Sequence, residues 1–231
     1  MFIGHIAVGL AAKRVAPKAS LGTLLMAAQF TDLLWPVFLL LGVERVAIEP
    51  GNTAVCPLVF VSYPISHSLL ADVGWAALFA GLYRILKHDS KGAFWTGLVV
   101  LSHWVLDVIS HRPDMPLYPG SGVRVGLGLW YSLPATLVVE IAMFAAGLIL
   151  YLKTTRARDK AGVYAFWSLM AVLFIAYLMN LLGPPPPSVR ALAVGALLAW
   201  VFVPWAYWAD RHREVGRGLT GPAQELTPGA Q

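Results

Sequence analysis

Long apolar segments constrain the fold of this chain more than any other feature of its sequence. Six of them approach the roughly 20 residues that a helix needs to cross a bilayer, and short polar or Gly/Pro-rich turns separate them. Charged residues make up only 13% of the chain, about half of their share in an ordinary soluble domain. The sequence therefore predicts an all-α, polytopic membrane bundle with about six transmembrane helices. The six segments are 21–42, 64–86, 93–110, 130–152, 163–183 and 189–209.

A shorter apolar segment, residues 2–12, precedes the first long one. At about 1.5 Å per residue it is too short for a full crossing, so we expect this N-terminal helix to enter the membrane only in part. Residues 1–209 are predicted to form a single membrane-embedded domain, and the polar residues 210–231 a disordered cytoplasmic tail. Pro36 is expected to kink the first long span.

Lysine and arginine are distributed unevenly between the turns. If the chain crosses the membrane at each span in turn, thirteen of the 17 basic residues lie on one side of the membrane. The other four lie on the opposite side: Arg45, Arg112, Arg124 and Arg190. An excess of basic residues marks the cytoplasmic side. The C-terminal tail is therefore expected in the cytoplasm, and the predicted loops 43–62 and 112–128 on the outer side. Because the basic residues are scattered among turns, the sequence argues against nucleic-acid binding.

The third long span carries three ionisable residues at intervals of four: His103, Asp107 and His111. This spacing places them on one stripe of an α-helix. Imidazole nitrogens and a carboxylate oxygen suit a divalent metal such as zinc, and a carboxylate can bridge two ions. The alternative is a polar stripe that only hydrogen-bonds neighbouring helices, but ionisable groups in lipid are costly and usually functional. With Cys56 as the single cysteine, any metal must be held by His, Asp and Glu.

Four further ionisable residues are predicted at the same depth, between the midplane of the membrane and its outer boundary. Asp32 and His67 are interpreted as metal ligands in preference to structural groups, and the serines that flank His67 are suited to orient its ring. His5 is equally compatible with a ligand and with an interfacial histidine. Glu140 has no charged neighbour in the sequence and needs a partner from another helix.

Several other polar and aromatic residues are interpreted as lying outside the site. Asp72 is five residues from His67 and therefore points to another side of its helix. Loop or solvated positions are predicted for Asp114, His88 and His212. Aromatic belts at the membrane interface are predicted at Trp130–Tyr131 and Trp205–Trp208.

A series of short motifs resembles the YdjM-like bacterial proteins, which are described as inner-membrane metal-dependent hydrolases. The motifs are Gly4-His5, Phe30-Thr-Asp32, Ser66-His67-Ser68, His103-x-x-x-Asp107-x-x-x-His111, and Trp130-Tyr-Ser-Leu-Pro-Ala-Thr followed by Glu140. The resemblance covers residues 1–145 and rests on the order and spacing of the motifs together. It implies a metal site in this part of the chain, hydrolase activity, and location in the inner membrane of a bacterial cell.

The order of these residues is also similar to that of the ligands in zinc-dependent bacterial phospholipase C. The similarity implies three ions, held by Asp32, His67, His103 and Asp107 for the first, by Asp107 and His5 for the second, and by His111 and Glu140 for the third. The phospholipase pattern has a tryptophan at its N-terminus and a histidine shortly before the glutamate, and neither is present here. Between one and three ions are therefore expected.

The expected function is that of a membrane-embedded, zinc-dependent hydrolase that directs metal-activated water at a phosphoester or ester. Asp32 is the candidate general base. A lipid or lipid-linked substrate is expected because the site opens at the depth of the outer leaflet. Two alternatives stay open. One is a metal or proton transporter, which should have polar groups on both sides of the midplane, and the other is a non-catalytic protein whose polar band holds the bundle together.

Overall fold

Helices account for most of the computed structural model, which describes residues 1–216. This part of the chain contains nine α-helices and three antiparallel two-stranded ribbons. The helices are α1 (Ile3–Ala12), α2 (Leu21–Ala28), α3 (Phe30–Leu40), α4 (Leu69–Lys87), α5 (Ser90–Ser110), α6 (Leu133–Thr154), α7 (Lys160–Leu182), α8 (Val189–Leu197) and α9 (Phe202–Arg211). The strands are β1 (Arg45–Ile48), β2 (Leu58–Ser62), β3 (Met115–Pro116), β4 (Arg124–Val125), β5 (Thr155–Ala157) and β6 (Arg213–Val215).

Five helical segments are long and apolar enough to cross a membrane: α4, α5, α6, α7 and the segment Val189–Arg211, in which a 3-10 turn joins α8 to α9. The bent pair of α2 and α3 supplies a sixth. Side-chain oxygens cap the ends of these helices, as where Ser68 accepts a hydrogen bond from the Ala71 amide at the start of α4. The predicted all-α, multi-pass membrane bundle is confirmed.

The first long span is broken at Gln29 and not at Pro36. Gln29 adopts φ −108° and ψ 13°, which ends α2, and the axes of α2 and α3 differ by 55°. Pro36 lies inside α3, where its ring removes a hydrogen bond to the carbonyl of Asp32 without ending the helix. The predicted kink at Pro36 stays a prediction, because the 55° bend lies at Gln29. The break places Asp32 in the first turn of a helix that starts in a new direction.

The short helix α1 lies inside the bundle and packs against α6, α2 and α5. Its ten residues rise about 15 Å, half of the hydrocarbon thickness of a bilayer, which agrees with the predicted partial entry. Gly147 of α6 permits the close contact, because a Cβ atom there would lie 2.4 Å from the carbonyl oxygen of Ala7. The helix pair brings His5 into the interior of the bundle.

Apolar packing encloses α1 and α2 on both sides. One cluster joins α1 to α6, α7 and α9 through residues such as Leu10 and Phe166. A second joins α2 to α4 and α5 through residues such as Leu24 and Val100. The polar side chains of α1 and α5 therefore lie between packed helices and away from solvent.

One end of the bundle, named the loop end here, contains two ribbons that the sequence analysis predicted as plain loops. β1 pairs with β2, and β3 pairs with β4. Phe60 of β2 is buried with Trp35 and Met115, and this burial of alternate side chains turns the segment into a strand. The Leu70 amide donates to the Leu117 carbonyl at 3.0 Å and ties the β3–β4 ribbon to α4. The loop end comprises residues 41–68, 111–132 and 183–188.

The opposite end, named the basic end here, contains the third ribbon. β5 pairs with β6, so residues 210–216 of the predicted tail are ordered and that part of the prediction is wrong. The pairing is possible because α7 and α9 pack together and bring residues 155–157 beside 213–215. The rest of the predicted tail, residues 217–231, lies outside the described residues. The basic end comprises residues 13–20, 88–89, 155–159 and 212–216.

Candidate metal centre

Asp107 is the centre of a buried cluster of histidines near the loop end. It lies in the penultimate turn of α5 and is 2% exposed. The Nε2 atoms of three histidines face its Oδ2 atom, at 3.3 Å for His103, 3.6 Å for His67 and 3.9 Å for His111. His103 and His111 come from the same helix stripe, as their spacing predicts, whereas His67 arrives from the segment that precedes α4.

Asp32 closes the cluster from the side of α3. Its Oδ1 atom lies 3.3 Å from His67 Nε2 and 3.6 Å from His103 Nε2. The bend at Gln29 turns the start of α3 towards these histidines. At 37% exposure, the Asp32 side chain is much more accessible than those of His67, His103 and Asp107, which are all below 5%.

The facing atoms are spaced closely enough to hold a metal ion. Ligands about 2.0–2.1 Å from a tetrahedral zinc ion lie about 3.3–3.4 Å from one another. Here the four nitrogen–oxygen separations among His67, His103, Asp32 and Asp107 are 3.3, 3.6, 3.6 and 3.3 Å. These separations are close to that spacing, and the residues form two groups of three whose ligand atoms all lie within 4.8 Å of one another: Asp32, His67 and His103, and His5, His103 and Asp107. Each group could hold an ion.

Hydrogen bonds behind His67 fix which of its nitrogens carries the proton. Its Nδ1 atom lies 2.6 Å from Ser66 Oγ, and that hydroxyl donates its own hydrogen to Glu44 Oε2, also at 2.6 Å. Because the hydroxyl proton is already committed, Ser66 accepts from Nδ1–H and leaves the Nε2 lone pair of His67 free. Glu44 is itself held by the Ile65 and Ser66 amides, each at 2.8 Å. This chain is the outer support that metal-bound histidines usually have.

The two histidines of the α5 stripe, His103 and His111, are oriented in the same way as His67. His103 Nδ1 lies 2.9 Å from the carbonyl oxygen of Ala28, which can only accept. His111 Nδ1 lies 3.0 Å from Asp114 Oδ1, and the Tyr63 hydroxyl donates to the same oxygen at 3.0 Å. Burial raises the pKa of the Tyr63 hydroxyl, so it stays a donor at neutral pH. Both Nδ1 atoms therefore carry the proton, and both Nε2 lone pairs point towards Asp107.

The second carboxylate oxygen of Asp107 faces α1. Oδ1 lies 3.1 Å from His5 Nε2 and 2.6 Å from the amine of Met1. The His5 ring stacks on the His103 ring with centroids 3.8 Å apart, so the two imidazoles approach Asp107 in parallel. Asp107 thus presents one oxygen to each of two groups of ligands, as a carboxylate that bridges two ions would.

Glu140 approaches the cluster from α6 but binds the start of α1. Its Oε2 atom accepts hydrogen bonds from the Phe2 amide at 3.0 Å and the Gly4 amide at 3.3 Å. A carboxylate at this position satisfies amides that have no partner within the helix. In the described part of the chain no ion pair joins Glu140 to His111, so the pairing implied for a third ion stays a prediction.

A cavity of about 160 Å³ opens beside the cluster. Asp32, His67, Asp107, His111 and Glu140 line it together with apolar residues. Six of the seven predicted ligands therefore lie in one cluster, which consists of Asp107, Asp32 and the four histidines beside them. The seventh, Glu140, lines the same cavity. His5 and His103 lie just behind the cavity wall.

Three carboxylates that were not predicted as ligands lie close to the cluster or inside the bundle. Asp114 lies in the loop after α5, as expected, and it is buried there and orients His111. Glu44 was not singled out, although it supports His67 through Ser66. Asp72 is 1% exposed, and neither carboxylate oxygen has a hydrogen-bond partner among the described residues. A carboxylate three residues after His111 was a usable signal for Asp114, whereas Glu44 is remote in sequence and only the fold shows its role.

The predictions for the remaining histidines, for Trp130 and for Cys56 can also be compared with the structure. His88 is exposed, as expected, but His212 Nδ1 lies 2.7 Å from Asp159 Oδ2. Trp130 was expected in an interfacial belt, yet its ring packs on His111 with centroids 4.3 Å apart. Burial raises the pKa of the Cys56 thiol to about 11, so it stays protonated at neutral pH and is a poor metal ligand.

Comparisons with known proteins add no assignment. No protein-family model, curated protein or solved structure matches this chain. The resemblance to the YdjM-like hydrolases and to phospholipase C therefore stays a prediction, and the functional argument depends on the geometry of the cluster.

Proposed function

We propose that this chain is a membrane-embedded, metal-dependent hydrolase that acts on a phosphoester or ester. One observation carries the proposal. Two imidazole Nε2 lone pairs and two carboxylate oxygens face one another at 3.3 and 3.6 Å, deep in an apolar bundle. With the ring protons on Nδ1, these four atoms repel one another unless a further proton or a metal ion lies between them. Zinc is the expected ion, with Asp107 as the bridge if a second is present.

The chain's own residues have distinct roles in this proposal. Asp32, His67 and His103 would hold one ion with three ligand atoms and leave a fourth position for water, and Asp107 would be the bridge to a second ion. The ion would supply a Lewis acid that lowers the pKa of that water towards about 7. Asp32 is the proposed acceptor of the water's proton, because its carboxylate is the member of that set most open to the cavity. Packing of Trp35, Phe60 and Trp130 around the cavity excludes bulk water and strengthens the electrostatic interactions inside.

The setting of the site supports a lipid or lipid-linked substrate. The cluster belongs to transmembrane helices and to the segments that join them at the loop end, so a bilayer lipid reaches it without leaving the membrane. The resemblance in residues 1–145 adds the expectation of a bacterial inner membrane, and the excess of Lys and Arg at the basic end favours a cytoplasmic C-terminus.

Metal analysis of the purified protein tests the proposal. We expect at least one equivalent of zinc or a similar divalent ion, and its loss in both His103→Ala and Asp107→Ala. His88→Ala is the matched control, because this histidine is exposed at the basic end. A wild-type protein without stoichiometric metal would overturn the proposal.

A hydrolysis screen on a lipid extract, with and without chelator, tests the activity itself. Product should form only with metal, and both cluster variants should lose it while they remain in the membrane. Hydrolysis that survives both variants would contradict the assignment. Metal uptake into proteoliposomes without hydrolysis would establish transport in its place.

A further inference from the structure

A second cavity, of about 830 Å³, adjoins the cavity of the metal cluster. We propose that it holds an acyl chain of a glycerophospholipid whose phosphate ester faces the cluster. We name it the tail chamber. This inference rests on the proposed function and adds the substrate class.

The walls of the tail chamber suit hydrocarbon. They consist of the loop 50–58, the end of α7, the segment 183–186 and one side of α8. None of the described residues that line the chamber is charged. Burying an acyl chain against such a wall is favourable relative to water, and it costs little relative to the bilayer from which the lipid comes.

Two helices that line the tail chamber, α7 and α8, pack against different partners. The two halves of the span Val189–Arg211 pack against different helices: α8 lies against α3, whereas α9 lies against α7. The prolines 184–187 hold the link between α7 and α8 extended, without a helical turn to draw the two together. Glycerophospholipids are the phosphate esters that a bilayer presents at an opening between two of its spans, so they are the occupants that the position favours.

The two cavities share part of their walls. Phe2, Cys56, Asn180 and Leu181 are among the residues that line both. A cavity of 160 Å³ is smaller than the 300–1,000 Å³ of typical ligand sites, whereas 830 Å³ lies within that range. The cluster cavity has room for a phosphate head and the chamber for the chain attached to it.

Polar groups on α7 mark the junction between the cavities. Tyr177 lines the cluster cavity at 2% exposure, and its hydroxyl has no partner among the described residues. Asn180 follows three residues later on the same helix face and lines both cavities. A buried donor without a partner is unfavourable, and a phosphate oxygen would relieve this by accepting from it. The order from cluster to junction to chamber therefore matches the order of phosphate ester, glycerol and acyl chain in a glycerophospholipid.

Photolabelling of the full chain in lipid nanodiscs tests the proposal without requiring hydrolysis. The probe is a phosphatidylcholine with a diazirine at the end of one acyl chain, and labelled peptides are identified by mass spectrometry. We expect residues 176–183 and 191–199 to carry at least about five times the label of the exposed face of α4, because a bound chain stays longer than bulk lipid.

Two glycines provide a matched pair of variants. A Cβ atom at Gly195 in the chamber wall, or at Gly81 on α4, meets nothing within 4 Å, so neither backbone has to move to accept a side chain. Gly195→Trp should fill the chamber and lower its labelling at least about threefold, and Gly81→Trp should not change it. Ala196→Phe, on the same wall, serves as a second chamber variant if Gly195→Trp does not fold.

The outcomes separate this inference from the proposed function. Equal labelling of α4 and the chamber, or labelling that neither chamber variant lowers, overturns the tail chamber even if hydrolysis is found. Labelling that behaves as expected in a protein with no metal and no hydrolysis supports a lipid-binding chamber and overturns the enzyme. His103→Ala should retain the labelling, since it removes a ligand of the metal and no wall of the chamber.

Discussion

The loop end and the basic end of this bundle differ in how their ionisable side chains are paired. At the basic end each paired cation donates to a carboxylate: Lys13 Nζ lies 3.1 Å from Asp210, and Arg156 Nε 2.6 Å from Glu214. At the loop end the facing atoms are acceptors, as where His103 Nε2 lies 3.3 Å from Asp107 Oδ2 with its proton held on the other ring nitrogen. The first arrangement is complete in itself. At the loop end the Met1 ammonium pairs with Asp107 Oδ1 at 2.6 Å, whereas the atoms that face Oδ2 need a further proton or a metal ion between them.

The burial of the two regions sharpens this difference. The Arg156–Glu214 pair is more than one-third exposed on both sides, and such surface pairs contribute little to stability. The cluster around Asp107 is almost fully buried, where an uncompensated charge is costly. We therefore expect the stability of the loop end to depend on metal and that of the basic end to depend on its own ion pairs.

Removal of metal should have the largest effect. A site-specific ion present at about 1,000 times its dissociation constant stabilises the folded state by about 4 kcal/mol, and a chelator should remove this contribution. Thermal unfolding in detergent, with and without chelator, measures it. His103→Ala should abolish the difference and His88→Ala should retain it. Equal melting temperatures in the wild type with and without chelator would show that the cluster is stable without a cation.

Loss of the buried lysine at the basic end should have the next largest effect. Lys13 is 4% exposed, and its Nζ also donates to the Ala19 carbonyl at 2.8 Å. Lys13→Met leaves Asp210 without this partner in a partly buried position, which should cost about 2 kcal/mol. The exposed Lys18→Met is the matched control and should cost little. Metal content should be unchanged in both variants; loss of metal in Lys13→Met would show that the two ends are coupled.

The sequence predicts the site residues that lie close together along the chain better than those that tertiary contacts bring together. The spacing of His103, Asp107 and His111 predicts one stripe because helix geometry is local. Helix packing brings Asp32 and His67 to the same point, and an estimate of membrane depth was sufficient to group them. The bend at Gln29 and the support by Glu44 depend on tertiary contacts that no local pattern encodes. The ribbons were missed because their strands have two to five residues and no long alternation.

Weakening the support of His67 should reduce metal affinity without removing a ligand. Glu44→Gln keeps the shape of the side chain but turns one acceptor oxygen into a donor, so it can no longer accept from both the backbone amides and Ser66 Oγ. Loss of such an outer contact typically lowers metal affinity about 10–100-fold. Competition with a zinc chelator of known affinity measures this change. The exposed Glu49→Gln is the control, and an unchanged affinity in Glu44→Gln would mean that Ser66 alone orients the ring.

The smallest expected effect is a pH dependence at the basic end. The hydrogen bond from His212 lowers the pKa of Asp159, which lies just before α7. Because this pKa is depressed in the folded state, the pair stabilises the protein above the unfolded value of 3.8, and the contribution disappears as the pH falls through the lower folded value. Asp159→Asn retains the cap on the Gly162 amide and removes only the charge. The difference in melting temperature between the wild type and this variant should therefore be present at about pH 5 and shrink towards about pH 3. A difference that stays constant over this range would show that the cap, and not the ionised pair, stabilises the start of α7.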